Sequence, residues 1–385
     1  MTKICIFTAA YREAHHTFVN FHIENLFEGS ASVCCTEEIG NQGSTRNLLV
    51  RTNVARSPWH KLQVKLGTFV RKRRKLPIRG IYGSERSAII NFLQAEKIDV
   101  VLCEFGCIGS EVAESISGTG IPIYSYFRGY DATARLSSAK ERRFLARTVP
   151  KLKGAFFVSR YLLNNLAQYG IRNPNSHVIP SGVNTDEFVP GQKNKGTFLA
   201  VGSLIEKKRP DITVGAFCRE AKTHPRARLT IIGGGRMLTQ CLAIVKEHDM
   251  EDQVQFLGEQ PHDIVMNYLR KSEFFLQHSV TGSNGDGEGA PTAIQEALAC
   301  GCVVLSTRHA GIPELVTDGE TGFLVDELDQ AGFQGLIKSA LQDEIDVCRI
   351  AKQSREHSVQ YLDNRALIKK LEGVLSRATA VEALS

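Results

Sequence analysis

Short apolar runs alternate with longer amphipathic stretches along almost the whole chain. Residues 3–8 (KICIFT), 99–104 (DVVLCE), 121–127 (IPIYSYF) and 154–159 (GAFFVS) each read as a strand. A helix expected around residues 110–116 lies between the second and third, so strand, helix, strand makes a parallel βαβ unit. A helix over 160–169 follows the fourth strand. A second series begins at 197–201 (TFLAV) and continues through 228–232 (RLTII), 254–258 (VQFLG), 273–277 (EFFLQ) and a buried run at 303–305. Such alternation over 385 residues predicts an α/β protein of two domains. Residues 190–195 (PGQKNK) are polar or flexible apart from the proline and read as the linker. The domains are then 1–190 and 191–360, followed by a tail, 361–385, with Leu367, Ile368, Leu371 and Leu375 on one side of a helix.

Two N-terminal stretches stand outside this rhythm. Residues 9–26 read as a loop leading into a helix with Phe18, Phe21 and Leu26 inward, and two adjacent histidines, His15 and His16, lie in that loop. Residues 51–79 hold Trp59, Leu62, Leu66, Phe69 and Val70 on one side of a helix. Lys61 and Lys65 lie beside them, and the run Arg71, Lys72, Arg73, Arg74, Lys75 follows. Between Arg46 and Arg79 there are eleven Lys or Arg and no acid, and the remaining chain has 36 bases against 41 acids. The net charge of +6 therefore belongs to this segment. Three readings stand: a core-packed helix with a solvated basic side, a nucleic-acid patch, and a docking element for an anionic membrane. No nucleic-acid-binding motif accompanies the segment, so that reading ranks last.

Apolar content of 42% and charged content of 23% are those of a soluble globular protein. No apolar run of 18 residues occurs, and the N-terminus reads as a first strand rather than a signal peptide. The ten cysteines are scattered without zinc spacing, which predicts reduced, buried thiols in a cytosolic protein.

The most informative stretch is 284–307, NGDGEGAPTAIQEALACGCVVLST. A loop with Asp286 and Glu288 leads to Pro291, which suits the first position of a helix. That helix should end near Gly301, before a buried strand. Free N–H groups and the positive end of a helix dipole then meet at the lip of a sheet, which makes an anion site over Gly289, Ala290, Pro291 and Thr292. Glu296 lies roughly 8 Å further along the axis. Carboxylates on both sides of a diphosphate would meet hydroxyls of a sugar and of a ribose. The triplet Gly233, Gly234, Gly235 after a strand would permit close backbone approach to phosphate.

This stretch resembles the signature of the family 4 retaining glycosyltransferases, two glutamates separated by seven residues, here Glu288 and Glu296. The lead-in FFLQHSVTGSNGDGEG and the follow-on GIPELVTDGETGFLV are similar to the same family. The resemblance implies the GT-B architecture, two Rossmann-like domains facing across a cleft. The nucleotide would sit on the second domain, the acceptor on the first, and the last helix would cross back to the first. It implies a diphosphate held by Lys208, ribose hydroxyls on Glu296 and sugar hydroxyls on Glu288. It implies no metal or other cofactor, since lysine and helix dipole neutralise the leaving group.

Three places depart from the pattern. Ser203 stands where an arginine is expected, and Lys207, Arg209 or Arg128 are candidates to replace its charge. Arg128 stands where a histidine commonly contacts the donor sugar near the reacting carbon. It is a candidate to hold a diphosphate or an acidic sugar, or to ion-pair with Asp131. His15 and His16 replace the polar half of the family's loop. The expected function is transfer of a sugar from a nucleotide sugar to a glycan or lipid-linked acceptor, in the cytoplasm or, on the docking reading of 51–79, at the inner face of a membrane. The alternatives are a nucleotide-sugar epimerase of the same fold and a nucleotide-sugar-binding protein without turnover.

Overall fold

The computed structural model describes residues 2–13, 17–39 and 47–382. His15 and His16 lie outside the described residues. The chain divides into two compact units, Met1–Pro180 with Ala366–Ser385, and Ser181–Arg365.

The first unit is built from β1 (Ile4–Tyr11), α1 (Thr17–Asn25), β2 (Ser32–Glu38), β3 (Leu48–Val50), α2 (His60–Arg73), α3 (Gly83–Ala95), β4 (Val100–Glu104), α4 (Gly106–Ser115), β5 (Ile123–Phe127), α5 (Ala139–Thr148), β6 (Gly154–Phe157), α6 (Arg160–Gln168) and β7 (Ser176–Val178). Its sheet runs β3-β2-β1-β4-β5-β6-β7, with every pairing parallel. Every residue of β4, β5 and β6 is buried, because helices cover both faces and leave no polar side to the strand.

The second unit holds β8 (Asn194–Val201), α7 (Pro210–Ala221), β9 (Arg228–Ile232), α8 (Leu238–Glu247), β10 (Val254–Phe256), α9 (His262–Lys271), β11 (Ser272–Gln277), α10 (Thr292–Ala299), β12 (Val303–Thr307), β13 (Gly322–Val325), α11 (Gln330–Leu341) and α12 (Val347–His357). The last helix, α13 (Asn364–Glu382), begins at its end. The sheet order, β10-β9-β8-β11-β12-β13, repeats that of the first six strands of the first unit, again all parallel. Phe198, Phe217 and Phe274 form its aromatic centre, with the Phe217 and Phe274 ring centroids 5.3 and 4.8 Å from that of Phe198.

In both sheets the chain reverses direction beside the first strand, at β1/β4 and at β8/β11. Open sheets bind ligands at the carboxyl ends of such strands, where the diverging loops leave a crevice.

Several boundaries differ from the sequence reading. Strands β2 and β3 carry too few apolar residues in a row to stand out, and the buried Cys34 and Cys35 act there as small apolar side chains. Helix α1 buries Val19, His22 and Ile23, Leu26 is buried just past its end as expected, and Phe18 and Phe21 are only half-buried. Asn194 and Lys195 belong to β8 rather than to a linker. Residues 181–190 pack on the second unit: the Val183 N–H donates to the Leu362 carbonyl at 2.8 Å, and Arg355 reaches the carbonyls of Thr185 and Phe188 at 2.8 and 2.7 Å. Helix α2 presents its apolar side to solvent, not to the core.

Candidate active site

At the β8/β11 reversal two loops are tied edge to edge. After β8 the chain passes Gly202 and the exposed Ser203 into a short turn, Glu206–Lys208. Gly233 and Gly235 support this loop from β9. A Cβ on Gly233 would lie 2.1 Å from the Gly202 carbonyl oxygen, and one on Gly235 would lie 2.5 Å from that of Leu204. Both also have φ in the left-handed range. The close approach expected of the glycine triplet is therefore made to the neighbouring loop. From the other side, the Val280 N–H donates to the Lys207 carbonyl at 2.8 Å, and Ser283 donates twice to the Glu206 carboxylate at 2.8 and 2.9 Å.

This bracing brings two lysines onto two acids. Lys208 Nζ is 2.9 Å from Oε1 of Glu288, and Lys207 Nζ is 3.1 Å from Oδ2 of Asp286. Glu288 is buried, which by itself would raise its pKa. Lys208 and Lys207 override burial and hold the carboxyl at about 2. The two acids in turn push the pKa of Lys207 upward against its own burial. Of the other charges considered as a replacement at Ser203, Arg209 is engaged by Asp211 through two bonds of 2.9 Å.

Glu288 is also held through its backbone. Its N–H donates to Nε2 of the fully buried His309 at 3.1 Å. Nε2 must accept that bond, so Nδ1 carries the ring proton and donates it to Glu327 at 2.7 Å. The Thr281 N–H donates to the same carboxylate at 2.9 Å. His309 and Glu327 escaped the sequence reading. The only signal was a histidine two residues past the end of β12, and nothing in the pattern shows what it faces.

The helix starts one residue later than expected. Pro291 has ψ 121°, outside helical range, and α10 opens at Thr292. Its opening N–H groups follow directly on Gly289 and Ala290 and have no helical acceptor of their own. The buried Gln295 donates to the Ala290 carbonyl at 3.1 Å and accepts from the Gly182 N–H at 2.9 Å, which fixes the approach to the helix. Glu296 lies on the second turn with its carboxylate 3.2 Å from Nε2 of His262. That contact raises the pKa of His262.

The first unit has its own cluster at the β1/β4 reversal. Glu104, fully buried at the end of β4, accepts from Nε and Nη2 of Arg128 at 2.8 and 2.5 Å, and His22 Nδ1 lies 2.6 Å from its other oxygen. Burial alone would raise its pKa, but Arg128 and His22 hold it at about 2. The guanidinium lies 4.0 Å from the ring centroids of both Phe18 and Tyr126. Arg128 is thus paired with Glu104 and not with Asp131. Asp131 instead accepts from the backbone N–H groups of Gly106, Arg128 and Gly129 at 2.6, 3.0 and 3.0 Å.

Two doubly wound sheets of like strand order, the second carrying a lysine–carboxylate cluster and a helix start at its reversal point, are the architecture of the GT-B fold. Comparison with known proteins agrees. The family described as Glycosyl transferases group 1 matches residues 184–357, and that described as Glycosyltransferase Family 4 matches residues 53–187. The chain belongs to this glycosyltransferase group 1, family 4 type. It is 26% identical over 314 residues to the amylovoran biosynthesis glycosyltransferase AmsK of Erwinia amylovora, covering 77% of this chain and 76% of that one. It is 29% identical over 316 residues to the putative colanic acid biosynthesis glycosyltransferase WcaL of Escherichia coli, covering 76% of each. Among solved structures, HepE of Anabaena in complex with UDP superposes with a TM-score of 0.77 at 13% identity, over 98% of this chain and all of that one.

Proposed function

We propose that this glycosyltransferase is a retaining enzyme that moves a sugar from a nucleotide diphosphate to a hydroxyl of a glycan or lipid-linked acceptor, in surface polysaccharide or glycolipid synthesis. The observation that carries the reading is the Lys208–Glu288 pair beside the start of α10. A diphosphate entering there exchanges one anion for another on Lys208, and the N–H groups around Gly289 to Thr292 add donors. Glu288, released from Lys208, then accepts from sugar hydroxyls, while Glu296 accepts from the ribose. The relatives named for amylovoran and colanic acid synthesis support the polysaccharide setting, and the UDP complex of a protein of the same fold supports a nucleotide-sugar donor.

In the proposed reaction the acceptor oxygen bonds to the anomeric carbon as the bond from that carbon to the diphosphate oxygen breaks. The acceptor proton passes to the departing phosphate on the same face, so configuration is kept. Lys208, Lys207 and the helix start balance the leaving charge, and no metal is required. Arg128 is neutralised by Glu104 and lies against the rings of Phe18 and Tyr126, so the leaving charge is not assigned to it. The test is product analysis with a panel of nucleotide sugars in excess chelator. Transfer with the donor's anomeric configuration supports the reading. An inverted product, an epimerised donor, or activity that needs added magnesium or manganese overturns it.

A further inference from the structure

Helix α2 is turned inside out. Its outward line, Trp59 and then Leu62, Leu66 and Phe69, is exposed by 70, 55, 62 and 60%. Its inward line, His60, Val64, Gly67 and Arg71, follows the same helical spacing on the opposite side. There the Tyr82 ring lies directly against Gly67, where a Cβ would come within 2.3 Å of it. Arg71 is buried, ion-paired with Glu114, bonded to the Pro77 carbonyl at 3.1 Å and stacked 4.8 Å from the Phe144 ring centroid. A helix selected by water alone would do the reverse and hide the tryptophan, leucines and phenylalanine.

The charges around it are sorted in the same way. The inner cations are partnered: Arg51 with Glu85, Arg71 with Glu114, Arg79 with Glu111 and Glu141. Lys61, Lys65 and Lys72 run down one flank of the apolar line, Arg73 continues it, and Arg74 and Lys75 follow. All six are exposed, and none is in an ion pair among the described residues. No acid occurs from residue 47 to 79.

We propose that α2 docks this protein on an anionic lipid surface, with Trp59, Leu62, Leu66 and Phe69 entering the acyl–headgroup boundary and Lys61, Lys65 and Lys72 meeting lipid phosphates. A bilayer of that kind supplies both an apolar medium and a sheet of negative charge, which is the pair of features the helix presents. A second copy of the chain would bring the same cations face to face and be repelled. A nucleic acid would answer the cations but leave the four apolar side chains in water.

The single tryptophan of the chain is Trp59, so its emission reports the contact directly. The full chain is mixed with vesicles of phosphatidylcholine alone or of phosphatidylcholine with phosphatidylglycerol, and both emission and co-sedimentation are read. The anionic vesicles should shift the emission to the blue and carry the protein down, and added salt should weaken both effects. Each of Lys61→Gln, Lys65→Gln and Lys72→Gln should lower the partition about fivefold. Leu62→Ser with Leu66→Ser and Phe69→Ser should abolish the emission shift while thermal unfolding stays in place, because these side chains touch little of the fold. The proposal falls if neither vesicle moves the emission, or if both bind equally. It also falls if the shift appears with protein concentration in the absence of lipid, or if single-stranded DNA binds as well as anionic lipid. The proposal stands on α2 alone, and calorimetry with nucleotide diphosphate in vesicle-free buffer keeps it separate from the transferase reading.

Discussion

Each unit of this protein buries one glutamate at the reversal point of its sheet and holds the carboxyl near 2 with neighbouring cations. The resemblance stops at the cation. In the first unit it is Arg128, with 5% of its side chain exposed, forked onto Glu104 and flanked by two aromatic rings. In the second it is Lys208, with 18% exposed, a single point charge on a flexible stem at the edge of two loops. A planar fork that is stacked and bonded has little to gain by leaving, whereas an ammonium can trade a carboxylate for a phosphate at small cost. One pair therefore fixes a fold and the other is suited to open for a ligand.

The sharpest way to break that comparison is to remove each cation. Arg128→Ala leaves Glu104 buried and uncompensated and should cost about 3–5 kcal/mol in urea unfolding. Lys208→Ala should cost well under half of that, because Lys207 stays nearby. Equal losses would mean that both pairs are structural.

Acid probes both carboxylates together. Each has a folded pKa depressed below the unfolded value, so each contributes stability that is present above about pH 4.5 and lost as the pH falls toward 2. The depression is worth at most roughly 3 kcal/mol per group. Unfolding midpoints measured across that window should show an acid limb that shrinks in both Glu104→Gln and Glu288→Gln. A limb unchanged in either variant would remove that carboxylate from the account.

Chemistry should separate the two glutamates where acid does not. Glu288→Gln is expected to lower turnover by about a hundredfold or more while nucleotide diphosphate still binds. Glu296→Ala should spare less of the binding, weakening the diphosphate roughly ten- to a hundredfold in calorimetry. If both variants lose the diphosphate equally, the assignment of one glutamate to the sugar and the other to the ribose is wrong.

The smallest effect belongs to His309. His309→Ala removes the acceptor of the Glu288 N–H, which should lower kcat by about tenfold with little change in diphosphate affinity. A matching loss of affinity would make His309 a general support of the loop instead of a positioning group for Glu288.

The residue order by itself determined the two α/β series, the parallel sheets and the stretch that carries Glu288, Glu296 and the start of α10. Those features are local: runs of apolar residues, a proline before a helix, and two glutamates at a fixed spacing are all visible along the chain. Lys208 was also legible through the resemblance, and its place soon after the first strand of the second sheet is one where such sheets bind ligands. The partners of these residues were decided only by tertiary structure. Arg128 met Glu104 and His22 because β4, β5 and α1 bring together residues separated by up to 106 positions. His309 met Glu327 because β12 and β13 are paired, and met the Glu288 N–H because β11 and β12 are paired. Periodicity gave α2 an apolar side but not its direction. Burial of Arg71 against Glu114 and Phe144 settled that, since a helix has two faces and only its neighbours choose which one meets the solvent.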